Sequence, residues 1–140
     1  LKPSIAFIML GTNDVGLLSG SVFQNNLLRI ITLCIERGVI PVLTTLPTRR
    51  GYEQDVIEFN LIIRDISDTY GLPLIDYGGA VRGLPNGGLD IDGVHPNLPP
   101  LGVRGAADFR AENLPYWYVM RNLTLLYTLD VLWREVIQRS

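Results

Sequence analysis

The chain has 140 residues, a net charge of −2, 47% hydrophobic residues and a mean hydropathy of +0.22. This composition is too apolar for a disordered segment, and the length suits one domain over residues 1–140. There is no basic stripe for nucleic acid and no apolar run of the ~18 residues needed to cross a bilayer, so neither a nucleic-acid partner nor a membrane span is expected.

Ile5-Ala6-Phe7-Ile8-Met9-Leu10 is a short apolar run stopped by Gly11, the pattern of a strand buried on both faces of a parallel sheet. Ser19-Gly20-Ser21 then offers a helix cap. Phe23, Leu27, Ile30 and Cys34 follow at helical spacing until Gly38. Cys34, the only cysteine, cannot form an internal disulfide and is expected as a buried, inert thiol. Val39–Leu43 reads as a second strand, although Pro41 removes one ladder donor, and it closes at Thr44-Thr45-Leu46-Pro47.

A second helix carries Val56, Phe59, Ile63, Ile66 and Tyr70 on one face and ends at Gly71. Leu72–Asp76 reads as a third strand. A loop rich in glycine and proline follows from Tyr77 to about Pro100. Leu125 or Leu126, Leu129, Leu132 or Trp133, and Val136 mark a closing amphipathic helix. Strands alternating with helix-length connections imply right-handed crossovers and a parallel α/β sheet. Three strands are fewer than a typical sheet of about five. A further segment or another chain is therefore expected to cover one edge.

Ligands of an open parallel sheet bind beyond the carboxyl ends of its strands. Those ends deliver Gly11-Thr12-Asn13-Asp14, Thr44-Thr45 and Asp76-Tyr77, and the third loop carries Asp90-Ile91-Asp92-Gly93-Val94-His95-Pro96-Asn97. Asn13 and the only histidine are expected on one rim. A carboxylate three residues before a histidine can fix the imidazole tautomer for proton transfer. A side-chain amide can donate to an oxygen that becomes negative in acyl transfer. The same residues also suit plain turns, Asp92 capping one and Asn13 sitting in another. Asp90, Asp92 and His95 make a weak metal set, and no metal is expected.

The two segments together resemble the SGNH/GDSL hydrolases. Met9-Leu10-Gly11-Thr12-Asn13-Asp14 resembles the family's third block, and Asp92-Gly93-Val94-His95-Pro96 its fifth. Thr44-Thr45-Leu46-Pro47 is similar to the strand end usual in the family. The likeness runs from Ile5 to about Asn97 and includes the closing helix. It implies a three-layer α/β/α sandwich with a parallel, flavodoxin-like sheet. It also implies hydrolysis of carboxyl esters (acetylated sugars, acyl lipids or thioesters) without metal or organic cofactor. Asn13 is then an oxyanion donor with Gly11 beside it, and Asp92 and His95 are the acid and base of the triad.

The chain departs from that pattern in two places. The family's Gly-Asp-Ser nucleophile block and its second block should precede Gly11, but only ten residues do. Ser4, Ser19, Ser21, Ser67 and Ser140 all lack a preceding Gly-Asp. Leu1 is therefore read as a cut or processed end, with the first strand-helix portion missing and the compartment unassigned. The second departure is residues 98–120, an insertion before the last helix that holds Phe109, Tyr116, Trp117 and Tyr118. It is read as a loop packed over the core, with a lid or acyl-pocket wall as the other possibility. The expectation is an esterase whose nucleophile lies outside this chain; the alternative is an inactive binding module or pseudoenzyme. Asn13, Asp92 and His95 occurring together favour the esterase.

Overall fold

A computed structural model of the protein describes residues 3–139. The elements run β1 (Ile5–Ile8), α1 (Gly20–Glu36), β2 (Ile40–Thr44), α2 (Glu53–Tyr70), β3 (Leu74–Ile75), α3 (Tyr77–Arg82) and α4 (Trp117–Leu132). A single π turn, Trp133–Ile137, continues α4. Internal contacts divide the chain into two compact units, one running to Gly79 and the other beginning at Ala80.

The first unit is built on a parallel sheet in the order β1-β2-β3, as the alternation of strands and helices requires. Ile5 pairs with Ile40 and Ile8 with Leu43, while Leu43 pairs with Leu74 on the other side. Pro41 fits this central strand because of where its missing donor would point. Ile40 N donates towards β1, and Leu43 N and Thr45 N donate towards the β3 side. Pro41 shares the parity of Leu43, so its nitrogen faces the β3 side before β3 begins. No ladder bond is lost.

β1 ends at Ile8, two residues short of the expected Leu10. Thr44 Oγ1 donates to Ile8 O at 3.2 Å and closes the ladder there. Ser19 caps α1, its hydroxyl accepting from Val22 N, which contributes about 1 kcal/mol. The buried stripe of α1 is Phe23, Leu27 and Ile31. Cys34 is half-buried at the core margin, not inside it. In α2, Val56, Phe59, Ile63 and Ile66 are buried as expected, but Tyr70 is 54% exposed. Ser67 is buried instead, and its hydroxyl donates to Leu72 O at 2.8 Å behind the left-handed Gly71.

Phe23 stacks on Phe59 with centroids 4.0 Å apart and binds α1 to α2. Around them Ile8, Leu27, Ile31, Leu43, Leu46, Ile63 and Ile66 form one buried cluster. Each such side chain contributes about 1.5–3 kcal/mol by leaving water. Beyond the end of β2, Leu46 N donates to Asn60 Oδ1 at 2.6 Å and Asn60 Nδ2 donates back to Leu46 O at 2.9 Å. A side chain of α2 thus satisfies the backbone just past the last strand residue.

The stretch expected as loop from Tyr77 contains α3, which begins in the first unit and ends in the second, and a 3-10 turn at Pro85–Gly88 in the second unit. Helix α4 begins at Trp117, inside the segment read as insertion, after two 3-10 turns at Gly102–Ala107 and Ala111–Asn113. Its start is satisfied from far along the chain, since Trp117 N donates to Asn97 Oδ1 at 2.7 Å. Trp117 is buried, and Tyr118 packs edge-on against it at 5.1 Å. The expected apolar face of α4 holds at Leu132, which is buried, but is otherwise corrected by the structure: Leu126, Leu129, Trp133 and Val136 are exposed, and Trp117 and Val119 are the other buried positions. Apolar residues run round much of α4, so periodicity alone cannot select the buried side. Among the described residues no helix is long and apolar enough to cross a membrane.

Candidate active site

The second unit builds the Asp92–His95 pair on a short clamped loop. Leu89 and Pro96 form an antiparallel bridge. Asp90 N donates to His95 O at 2.7 Å, and Asn97 N to Gly88 O at 2.9 Å. Inside this base the chain reverses through Gly93, whose φ of +71° is open to glycine at little cost. Asp92 Oδ1 accepts from Val94 N and His95 N, both at 2.9 Å. Its other oxygen, Oδ2, lies 2.6 Å from His95 Nδ1. One carboxylate therefore both caps the turn and orients the imidazole, so the two roles weighed from sequence are not exclusive.

With Nδ1–H donated to Asp92, the lone pair that can take a proton is on Nε2. The imidazole is 77% exposed, so that nitrogen is reachable. The bond from His95, helped by the two backbone donors, holds the Asp92 carboxyl down to about 2. Asp92 is thus ionised throughout the neutral range. Because its pKa is depressed in the folded state, the stabilisation of this loop is present above the ordinary value of about 3.9 and is lost as pH falls through about 2. Carbon-13 NMR of the Asp92 carboxyl should give a midpoint near 2, moving upward in His95→Ala. A midpoint in the ordinary range that ignores His95→Ala would contradict this geometry.

The first unit carries Gly11 and Asn13 on the turn after β1. Asp14 N and Val15 N both donate to Gly11 O, at 2.9 and 3.1 Å, and Val15 is anchored in the core. Asn13 is exposed, leaving its side-chain amide available to a ligand. Gly11 has φ +121°, and a Cβ there would lie 2.7 Å from Phe23 Cε2 and 3.1 Å from Leu46 Cδ1. Its lack of a side chain is thus a packing requirement as well as an open approach. Gly11→Ala should cost about 1–3 kcal/mol, read as a lower denaturation midpoint. A loss below about 0.5 kcal/mol would mean the turn relaxes freely. An open cavity of about 400 Å³ lies beside this turn, lined by Met9, Leu10, Asn13, Phe23, Leu27 and Ile30 among others.

The structure thus brings Asp92 and His95 together in one unit and places Gly11 and Asn13 in the other. Thr44 and Thr45 at the end of β2 are engaged in structure, Thr45 Oγ1 donating to Asp76 Oδ1 at 2.9 Å and accepting from Gly78 N at 2.8 Å. Arg64 pairs with Asp76 at 2.6 Å and holds that carboxyl below its usual range. Ser19 caps α1 and bonds Ser21, Ser67 is buried within α2 with its hydroxyl donated to Leu72 O, and Ser4 precedes β1 at its amino end. Ser140 lies outside the described residues. Among the described residues no group of three or more His, Cys, Asp or Glu side chains could hold a metal ion.

The clamped carboxylate–imidazole pair can hold one ring nitrogen ready to exchange a proton. Residues 1–99 match the GDSL-like Lipase/Acylhydrolase family, and the chain belongs to that family. Solved structures repeat the fold. A GDSL-like lipase from Bacteroides thetaiotaomicron aligns with a TM-score of 0.69 at 18% identity, over 91% of this chain and 62% of its own. The crystal structure of TesA aligns at 0.62 with 21% identity, over 89% and 63%. A lipase/acylhydrolase from Enterococcus faecalis aligns at 0.59 with 20% identity, over 88% and 61%. The chain therefore spans a little over three-fifths of the length of these structures. Comparison with curated proteins gave no match.

Proposed function

We propose that the protein is a carboxyl-ester hydrolase working by serine acyl-enzyme chemistry, with the nucleophile on a segment outside these 140 residues. The observation that carries this reading is the Asp92–His95 pair, 2.6 Å apart with Asp92 ionised, in a member of a lipase/acylhydrolase family. The serine hydroxyl attacks the ester carbonyl carbon and its proton passes to His95 Nε2. The carbonyl oxygen becomes an oxyanion that accepts from the Asn13 amide, with Gly11 beside it leaving room. Collapse breaks the bond to the alcohol, which leaves with the proton from His95. Water then repeats the sequence on the acyl-enzyme and releases the acid. Asp92 keeps the imidazole in the required tautomer and stabilises it when charged.

The serines support an external nucleophile. The described residues of the second unit contain none, and those of the first are occupied as caps, buried in a helix or placed at the amino end of β1. Further chain is also supported by the outer edge of β1, which has no neighbouring strand among the described residues and neither charge nor proline to protect it, and by the exposed apolar side chains of α4. We take both units as parts of one hydrolase domain. The substrate is then a small-molecule, glycan or lipid ester. The test is turnover of a p-nitrophenyl ester by the 140-residue chain and by the longer protein that includes the preceding segment. The expected result is negligible turnover by the first and robust turnover by the second. Activity of the short chain that survives replacement of every serine would overturn the reading, and inactivity of the longer protein would favour a binding module.

A further inference from the structure

We infer that Arg49 is a positioning residue that holds the Asn13 turn in its donating geometry, an inference that rests on the oxyanion reading of Asn13. Arg49 lies in the loop after β2, next to the turn that follows β1 at the same end of the sheet. Its Nη1 donates to Thr12 O at 2.8 Å and to Val15 O at 3.3 Å. These carbonyls stand on either side of Asn13 and Asp14, so one guanidinium bridges the base of the turn that presents the amide. Its plane is held in turn: the Arg49 guanidinium carbon lies 4.7 Å from the centroid of the Tyr52 ring. Tyr52 itself packs against Gly16, where a Cβ would fall within the ring's van der Waals surface. Gly16 has φ +78° and is the residue after Val15, so ring and guanidinium grip the same turn from two points.

The clamp is not a simple gain in stability. Arg49 Nε is buried without a hydrogen-bond partner among the described residues, and leaving such a donor desolvated costs about as much as one good hydrogen bond contributes. What the side chain adds is geometry. Charged donors to backbone carbonyls are short and directional, and Arg supplies a rigid fork where Lys supplies a point charge. A donor amide displaced by about 1 Å loses much of its value to a developing oxyanion, on the order of 10²-fold in rate.

The test has two arms. In the longer, active protein, Arg49→Ala should lower kcat by about 10–100-fold with KM changed by less than about threefold, and Arg49→Lys should recover part of that loss. In an Asn13→Ala background, Arg49→Ala should cost less than about threefold more, because the group it positions is gone. In the 140-residue chain, amide hydrogen exchange at Val15, Leu17 and Leu18 should quicken at least about tenfold in Arg49→Ala and less in Arg49→Lys, with Leu27 and Ile31 unchanged. Unchanged exchange at the turn, or an undiminished kcat loss in the Asn13→Ala background, overturns the inference. Asn13→Ala with normal kcat overturns the oxyanion reading itself, whereas a large Asn13→Ala loss beside a silent Arg49→Ala overturns only the role of Arg49.

Discussion

In the longer, nucleophile-bearing protein proposed above, His95→Ala should lower kcat by about 10⁴-fold, the upper range for losing a positioned acid–base group. The size of this effect follows from the geometry. His95 is the only histidine, and the Asp92 contact through Nδ1 leaves Nε2 as the ring nitrogen that the proposed mechanism uses to take a proton. Asp92→Asn should cost a similar order, about 10⁴, because an amide at the same place can stabilise the wrong tautomer. The turn itself depends on Asp92 Oδ1, which receives the Val94 and His95 amides. Asparagine retains that oxygen, so the fold should survive and the loss should fall on kcat. Steady-state rates on a p-nitrophenyl ester measure both. A loss below about tenfold in either variant would remove the dyad from the chemistry.

Asn13→Ala should lower kcat by about 10²–10³, or roughly 3–4 kcal/mol of transition-state stabilisation, with little change in KM. The split matters because an oxyanion donor acts on charge that exists only at the transition state. Asn13 is exposed on its turn and is not part of the buried core, so truncation should leave stability nearly untouched. A matched fall in thermal stability, or a rise in KM with constant kcat, would assign Asn13 to the turn or to ground-state binding instead.

Much of the first unit was legible in the sequence, because its elements are decided locally. Gly11, Gly38 and Gly71 stop the runs they follow, and Ser19 caps α1 as its position suggests. Phe23, Leu27, Phe59, Ile63 and Ile66 keep helical spacing and meet in one core. Legibility failed where a contact comes from far along the chain. The start of α4 is satisfied by Asn97, twenty residues away, so nothing next to Trp117 announces it. The buried side of α4 is set by what covers it, and apolar residues nearly all round the helix hide the choice.

The candidate site shows the same division. Asp-x-x-His is a local pattern, and the local turn delivers it. Arg49 and Asn60 went unread because each acts on backbone carbonyls or amides contributed by a different element. A guanidinium that holds a turn has the same letters as one that faces water, as the exposed Arg50 beside it illustrates. Thr44 and Thr45 stand at the carboxyl end of β2 as expected, but their hydroxyls are engaged in closing the sheet and capping α3.

The central claim is that Asn13, Asp92 and His95 serve a serine that these 140 residues do not supply. A fluorophosphonate tests it directly, since an activated serine oxygen displaces fluoride and becomes covalently bonded to phosphorus. After reaction with the longer protein, peptide mass mapping should find the label on a serine preceding Leu1, and His95→Ala should abolish labelling. Labelling of Ser4, Ser19, Ser21, Ser67 or Ser140, dependent on His95, would contradict the account.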